Sequence, residues 1–132
     1  MEKQEMKTLI ENAYEDVLNS LKVEKIESYF DTQYLQTTDG VNSNLNQFKQ
    51  HIVALQKVTR KIQVTEFQEE MFDIENQKIF LHYVVSVTKN SGKVGHVEVF
   101  AVFTINKDKI IRCEELTRAL DDQTLNDLGS KK

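Results

Sequence analysis

The chain has 132 residues, 39% of them hydrophobic and 29% charged, with a formal net charge of −4. That length suits one domain, in which roughly two thirds of the unfolded chain's surface can be buried, and the composition excludes a disordered chain. A mildly acidic balance makes a poor overall field for binding nucleic acid or an anionic membrane, so neither is an expected partner.

The start, "MEKQEMKTLIENAYEDVL", has helical spacing. Met6, Ile10, Ala13, Val17 and Leu21 recur every three or four residues, with Leu9, Tyr14 and Leu18 widening the stripe, which predicts a helix from about Glu5 to Leu21. A second short helix carries Val23, Ile26 and Phe30 on one face. "YLQTTDG", Tyr34 to Gly40, is β-prone and ends on a turn signal. "NSNLNQFKQHIVALQKV" restarts the helical period with Leu45, Phe48, Ile52 and Leu55 on one side. Asn44 is its N-cap, and Gln47 completes a capping box. From Arg60 the pattern turns to strands: "KIQVTEF", Lys78 to Lys89, Lys93 to Ile105, and "KIIRCEELT", with turns at "DIENQ", "NSG" and "NKD". The tail "DDQTLNDLGSKK" is polar, with room for one helical turn. Three helices, one inserted strand and a meander of long strands make an α+β plan, with helices on one face of a curved sheet.

Opposed residues of an antiparallel pair share a face. With "NSG" as the turn, His82 opposes Phe100 and His96 opposes Ser86. Leu81, Tyr83, Val85, Val87, Val97, Val99, Ala101 and Phe103 then form an apolar face under the helices. The opposite face is mixed and still carries Val84, Phe100 and Val102, the pattern of a surface that meets a second subunit. With "NKD" as a three-residue turn, Ile111, Cys113, Glu115 and Thr117 join the apolar face while Arg112, Glu114, Leu116 and Arg118 point outward. A two-residue turn would reverse this; the first register is preferred because it buries one charged group rather than two.

At "YEDVLNSLKVEKIESYFDTQYLQTTDG", "LNQFKQHIVAL" and the ending "VFAVFTINKDKIIRCEELTRAL", the chain resembles the NTF2-like superfamily, of SnoaL-like and ketosteroid-isomerase-like type. The resemblance covers nearly the whole chain. It implies a cone in which three N-terminal helices pack on a curved antiparallel sheet, a small-molecule pocket between helices and sheet, and a homodimer through the outer sheet face. It also implies isomerase, cyclase, dehydratase or hydrolase chemistry, or a role in binding alone. Tyr14 falls where the isomerase's oxyanion tyrosine sits. The isomerase's general-base aspartate falls on Thr38, with Asp39 directly after it, and its second oxyanion acid falls on or beside Ala101. Steroid isomerisation of that type is therefore not expected. The late catalytic acid of the SnoaL type has its nearest match in Glu115.

Glu115 is the sharpest candidate, because a carboxyl in an apolar cleft has its pKa raised towards values useful in proton transfer. The other reading is that it accepts bonds from a tyrosine or water and merely lines a binding pocket. Tyr14 and Tyr83 could donate to a developing oxyanion, although an aromatic at the helical spacing of Tyr14 also suits plain core. Thr38, Asp39 and Thr117 could orient a polar ligand group, Phe30 could line or plug the cavity, and His51 could close it or stand partly exposed. His82 and His96 lie roughly 13 Å apart along the strands, too far to share a metal ion. No metal-ligand spacing and no glycine-rich phosphate loop occurs, so neither a metal nor a cofactor is expected. Cys113 lies on the inner face, the place of an inert core thiol. It is the single cysteine, which suits a reducing compartment. No apolar run approaches the ~20 residues of a membrane span, and the charged start lacks a signal peptide's apolar core. The expected location is cytoplasmic.

Overall fold

The computed structural model describes residues 1–64 and 66–121. Helix α1 (Lys3–Ala13) buries Met6, Leu9, Ile10 and Ala13, the expected stripe. It then widens into a π-helical stretch, Tyr14–Asn19, which buries Val17. The second helical region is a 3₁₀ turn, Val23–Lys25, followed by α2, a single turn (Ile26–Tyr29). Phe30, expected on that helix, is instead the first residue of β1 (Phe30–Thr38). β2 (Val41–Asn44) was not expected; its polar "VNSN" carries no strand signal, and it forms because Asp39 and Gly40, both at positive φ, close a two-residue hairpin. Helix α3 (Leu45–Val58) follows, with the capping box in place: Gln47 N–H donates to Oδ1 of Asn44 at 2.9 Å, and Asn44 N–H donates to Oε1 of Gln47 at 2.8 Å.

The expected strand "KIQVTEF" divides into β3 (Thr59–Gln63) and β4 (Phe67–Asp73). Both pair with β5 (Lys78–Lys89), β4 along its first half and β3 along its second, because a twelve-residue strand is long enough to seat two short ones on one edge. β6 (Val94–Asn106) and β7 (Lys109–Ala119) complete the sheet. Among the described residues it has seven strands, ordered β2-β1-β7-β6-β5-β3 with β4 also on β5. The expectation of an antiparallel sheet is corrected in one place: β1 runs parallel to β7. The two strands lie far apart in the chain, with β2 to β6 between them, so no tight turn dictates their relative direction. The expected helical turn of the tail lies outside the described residues.

The β5–β6 register is as expected, with His82 opposite Phe100 and Ser86 opposite His96. Every residue that β5 and β6 contribute to the expected apolar face is buried. The β6–β7 turn differs. Only Lys107 and Asp108 separate the strands, a two-residue loop that by itself would reverse the faces. A bulge at Ile111 restores them: Ile105 pairs with Ile110 but Thr104 pairs with Arg112, leaving Ile111 as the extra residue. Phe103 then opposes Cys113, and Ala101 opposes Glu115. Ile110, not Ile111, is the fully buried isoleucine.

The capping box gives a direct test of how α3 is held. Asn44→Ala should lower stability by about 1 kcal/mol in urea unfolding. A loss below about 0.3 kcal/mol would mean that the box holds nothing in place.

Candidate functional site

A cavity of about 120 Å³ lies between the helices and the inner face of the sheet. For scale, a void of about 150 Å³ in a protein core holds one benzene ring. Its walls come from the π-helical stretch, α3 and strands β1, β5, β6 and β7, and most of the lining is apolar. Tyr14, Val17 and Leu18, all on the widened helical stretch, line it together. π-bulges of this kind recur at functional sites because they re-aim side chains.

Glu115 lines the cavity from β7. Its Oε2 accepts the Thr38 hydroxyl at 2.7 Å, and its Oε1 lies 3.8 Å from the Cys113 thiol, which donates to it. Burial pushes the carboxyl up to about 7, and the nearby charge of Asp39 adds to this; the Thr38 and Cys113 donors pull the other way. Desolvation wins because the surrounding wall is apolar and, among the described residues, no Lys or Arg lines the cavity.

Tyr14 and Tyr83 also line the cavity. The Tyr14 hydroxyl donates to that of Tyr83 at 2.8 Å, so the Tyr83 proton is the one left for a cavity oxygen. The rings meet edge to face at 5.1 Å, and Tyr14 packs in the same way on Phe67 and Phe103. Burial holds both phenols well above their ordinary value, so both keep their protons at neutral pH.

Phe30, His51 and Thr117 line the cavity as well. Phe103 lines it too, and Leu81 is buried in the core. Thr38 stands behind the wall and reaches the cavity through Glu115. Asp39 is exposed at the hairpin tip, where its carboxylate accepts the Thr117 backbone N–H at 2.8 Å and the Thr117 hydroxyl. Two lining residues with hydrogen-bonding side chains were not singled out from the sequence: Tyr34 and Gln36. The signal was present in the strand alternation of "YLQTT", which puts Tyr34, Gln36 and Thr38 on one face. On the outer face His82 stacks on Phe100 at 4.1 Å and bonds Glu98 at 2.8 Å, while His96 bonds Asp121 at 2.8 Å. Among the described residues no group of three His, Cys, Asp or Glu side chains is placed to hold a metal ion, and no helix is long and apolar enough to cross a membrane.

The raised carboxyl predicts a pH signature. In the unfolded chain Glu115 titrates near 4.5, and in the fold at about 7. Between those values the folded state binds more protons, so this group's contribution to stability is full below about 4.5 and is lost as pH rises through about 7. Glu115→Gln should therefore be more stable than the parent at pH 8, by at most about 3 kcal/mol and seen as a higher melting temperature, and lose that advantage near pH 4.5. Equal melting at pH 8 would show that the carboxylate is not destabilised by its site.

No protein-family model matches the chain, and no curated protein matches it by sequence. Solved structures do match in fold. AusH from Aspergillus nidulans superposes with a TM-score of 0.77 at 15% identity, covering 99% of this chain and 92% of its own. The pinacolase BvnE from Penicillium brevicompactum gives 0.75 at 12%, covering 87% and 86%. A candidate polyketide cyclase from Xanthomonas campestris gives 0.74 at 14%, covering 86% and 90%. On this similarity of structure, the chain has the NTF2-like fold of SnoaL-like proteins.

Proposed function

We propose that the chain binds a small, neutral, largely apolar molecule in this cavity and transfers protons on it by means of its own side chains. The substrate class is a carbonyl, lactone or epoxide of about one ring, matched to a cavity of about 120 Å³. The chemistry is of isomerase, cyclase or hydratase/hydrolase type. The observation that carries this reading is Glu115, a carboxyl brought to about 7 by burial in an apolar wall. A group near the working pH can both give and take a proton at low cost. The Tyr83 hydroxyl, supported by Tyr14, would donate to the oxygen on which negative charge develops. Phe30 would pack on the apolar part of the ligand, and Thr117 and His51 supply polar edges. Among the described residues the lining holds no Lys or Arg, which disfavours carboxylate or phosphate substrates. That solved structures of this fold include a pinacolase and a candidate polyketide cyclase supports small-molecule chemistry in such a cavity.

A second reading is a binding or ligand-sensing module without catalysis. It is favoured by the fact that Tyr14 and both Glu115 oxygens already have partners within the protein. In either reading the protein is a homodimer through the outer sheet face. Phe100 and Leu116 oppose each other there and are 43% and 67% exposed. Apolar groups this exposed on a sheet face mark a contact surface. The buried lone thiol of Cys113 fits a cytoplasmic setting.

The test is a thermal-shift screen of neutral one-ring ketones, lactones and epoxides, followed by product analysis on those that bind. Glu115→Gln should keep binding and lose at least ~10²-fold in turnover. Full turnover in that variant would remove Glu115 from the chemistry, and binding with no turnover in the parent would favour the second reading. Separately, Phe100→Asp should yield monomers in light scattering, and an unchanged dimer would put the interface elsewhere.

A further inference from the structure

Tyr34, Gln36 and Thr38 alternate along β1, so their side chains share its inner face, and all three are buried. They are bonded in series. The Tyr34 hydroxyl donates to Oε1 of Gln36 at 2.6 Å. Nε2 of Gln36 donates to Oγ1 of Thr38 at 3.0 Å, and Oγ1 of Thr38 donates to Oε2 of Glu115 at 2.7 Å. The parallel ladder sets this up by placing Gln36 beside Cys113 and Thr38 beside Glu115.

The inventory of donors gives the series a direction. A tyrosine and a threonine each own one hydroxyl proton, and a glutamine amide has one accepting end and one donating end. The Tyr34 proton fixes the amide oxygen on its own side. The amide N–H₂ then faces Thr38 and occupies a lone pair of its oxygen. The one proton of Thr38 is left for Glu115. Running the series backwards requires the amide to turn over. The Tyr34 hydroxyl would then exchange a carbonyl acceptor for the neighbouring thiol of Cys113, a poor acceptor for a buried donor.

We propose that this one-way series commits Oε2 of Glu115 to accepting, so that Oε1, whose donor is only the weak Cys113 thiol at 3.8 Å, is the atom that gains and loses the proton. The proposal rests on the reading of Glu115 as the proton-transfer group. It makes Thr38, Gln36 and Tyr34 positioning residues that act through Glu115. Other titratable groups near the carboxyl are Cys113 on its own strand, Asp39 at the β1 hairpin, Tyr14 and Tyr83 from the π-helical stretch and β5, and His51 across the cavity on α3. The carboxylate of Asp39 is held by Thr117.

The experiment is a pH titration of the Glu115 carboxyl by ¹³C NMR in ligand-free protein, with Glu115→Gln assigning the signal. Thr38→Val removes the donor to the ionised form and should move the midpoint up by about one pH unit. Gln36→Leu removes a side chain whose hydrogen bonds go to Tyr34 and Thr38, yet should move the midpoint the same way by a smaller amount. The double variant should titrate as Thr38→Val does, because a series broken at its last link cannot be broken again. Thr38→Ser keeps the donor and should restore the parent midpoint, which a purely structural role for Thr38 would not require. A midpoint unmoved by Gln36→Leu, or singles that simply add in the double, would overturn the proposal. If Thr38→Val does not fold, the parent protein still decides: the Thr38 hydroxyl proton should keep its contact to Glu115 on both sides of the midpoint, and loss of that contact at low pH would mean that the series reverses. None of these readouts needs a ligand or turnover. An inactive Glu115 would therefore leave the midpoints as expected, and unmoved midpoints would leave the turnover result standing.

Discussion

Placing a carboxyl against an apolar wall costs free energy that the fold must offset with donors, and the parallel pairing of β1 with β7 supplies them. Side by side, parallel neighbours project to the same face. Thr38 therefore stands next to Glu115 and gives it a hydroxyl at 2.7 Å. The hairpin tip fixes the same stretch of β7 from its other end. The Asp39 backbone N–H donates to the Glu115 carbonyl at 3.0 Å, and the Asp39 carboxylate accepts from Thr117. Asp39 thus holds the stretch of strand that carries Glu115.

The second constraint is the bulge at Ile111. A two-residue loop joins β6 and β7, and without compensation it would turn Arg112 and Glu114 inward. One extra residue returns Cys113, Glu115 and Thr117 to the inner face and leaves Glu114, Leu116 and Arg118 exposed. The energetic preference for burying one charge over two was correct as physics, although the turn length inferred from it was not. The strand reaches that end by a different local path.

This is also where reading from sequence reached its limit. Alternation in Lys78–Lys89 and Val94–Ile105 is strong because one face is wholly apolar, so the register of that hairpin could be written down residue by residue. The caps and stripe of α3 were equally visible, since Asn44 and Gln47 act over three residues. The direction of β1 was not visible, because no local pattern encodes which distant strand a segment pairs with. The alternation of "YLQTT" does put Tyr34 and Gln36 on one face with Thr38, but that face is polar, so no local pattern marks it as the buried one. The division of "KIQVTEF" into β3 and β4 depends on the length of β5, which lies elsewhere in the chain.

Burial acts on the carboxyl and on the phenols in the same direction, with different consequences. Each loses solvation of its charged form, so each is raised. Glu115 starts low and is brought to about 7, where both protonation states are populated at neutral pH. Burial raises Tyr14 and Tyr83 from an already basic starting point, so both keep their protons at neutral pH. One apolar wall therefore brings one group into the neutral range and keeps two others protonated there. That division of labour needs no second charged residue in the cavity. It follows from where three side chains of different intrinsic acidity enter the same poorly solvated space.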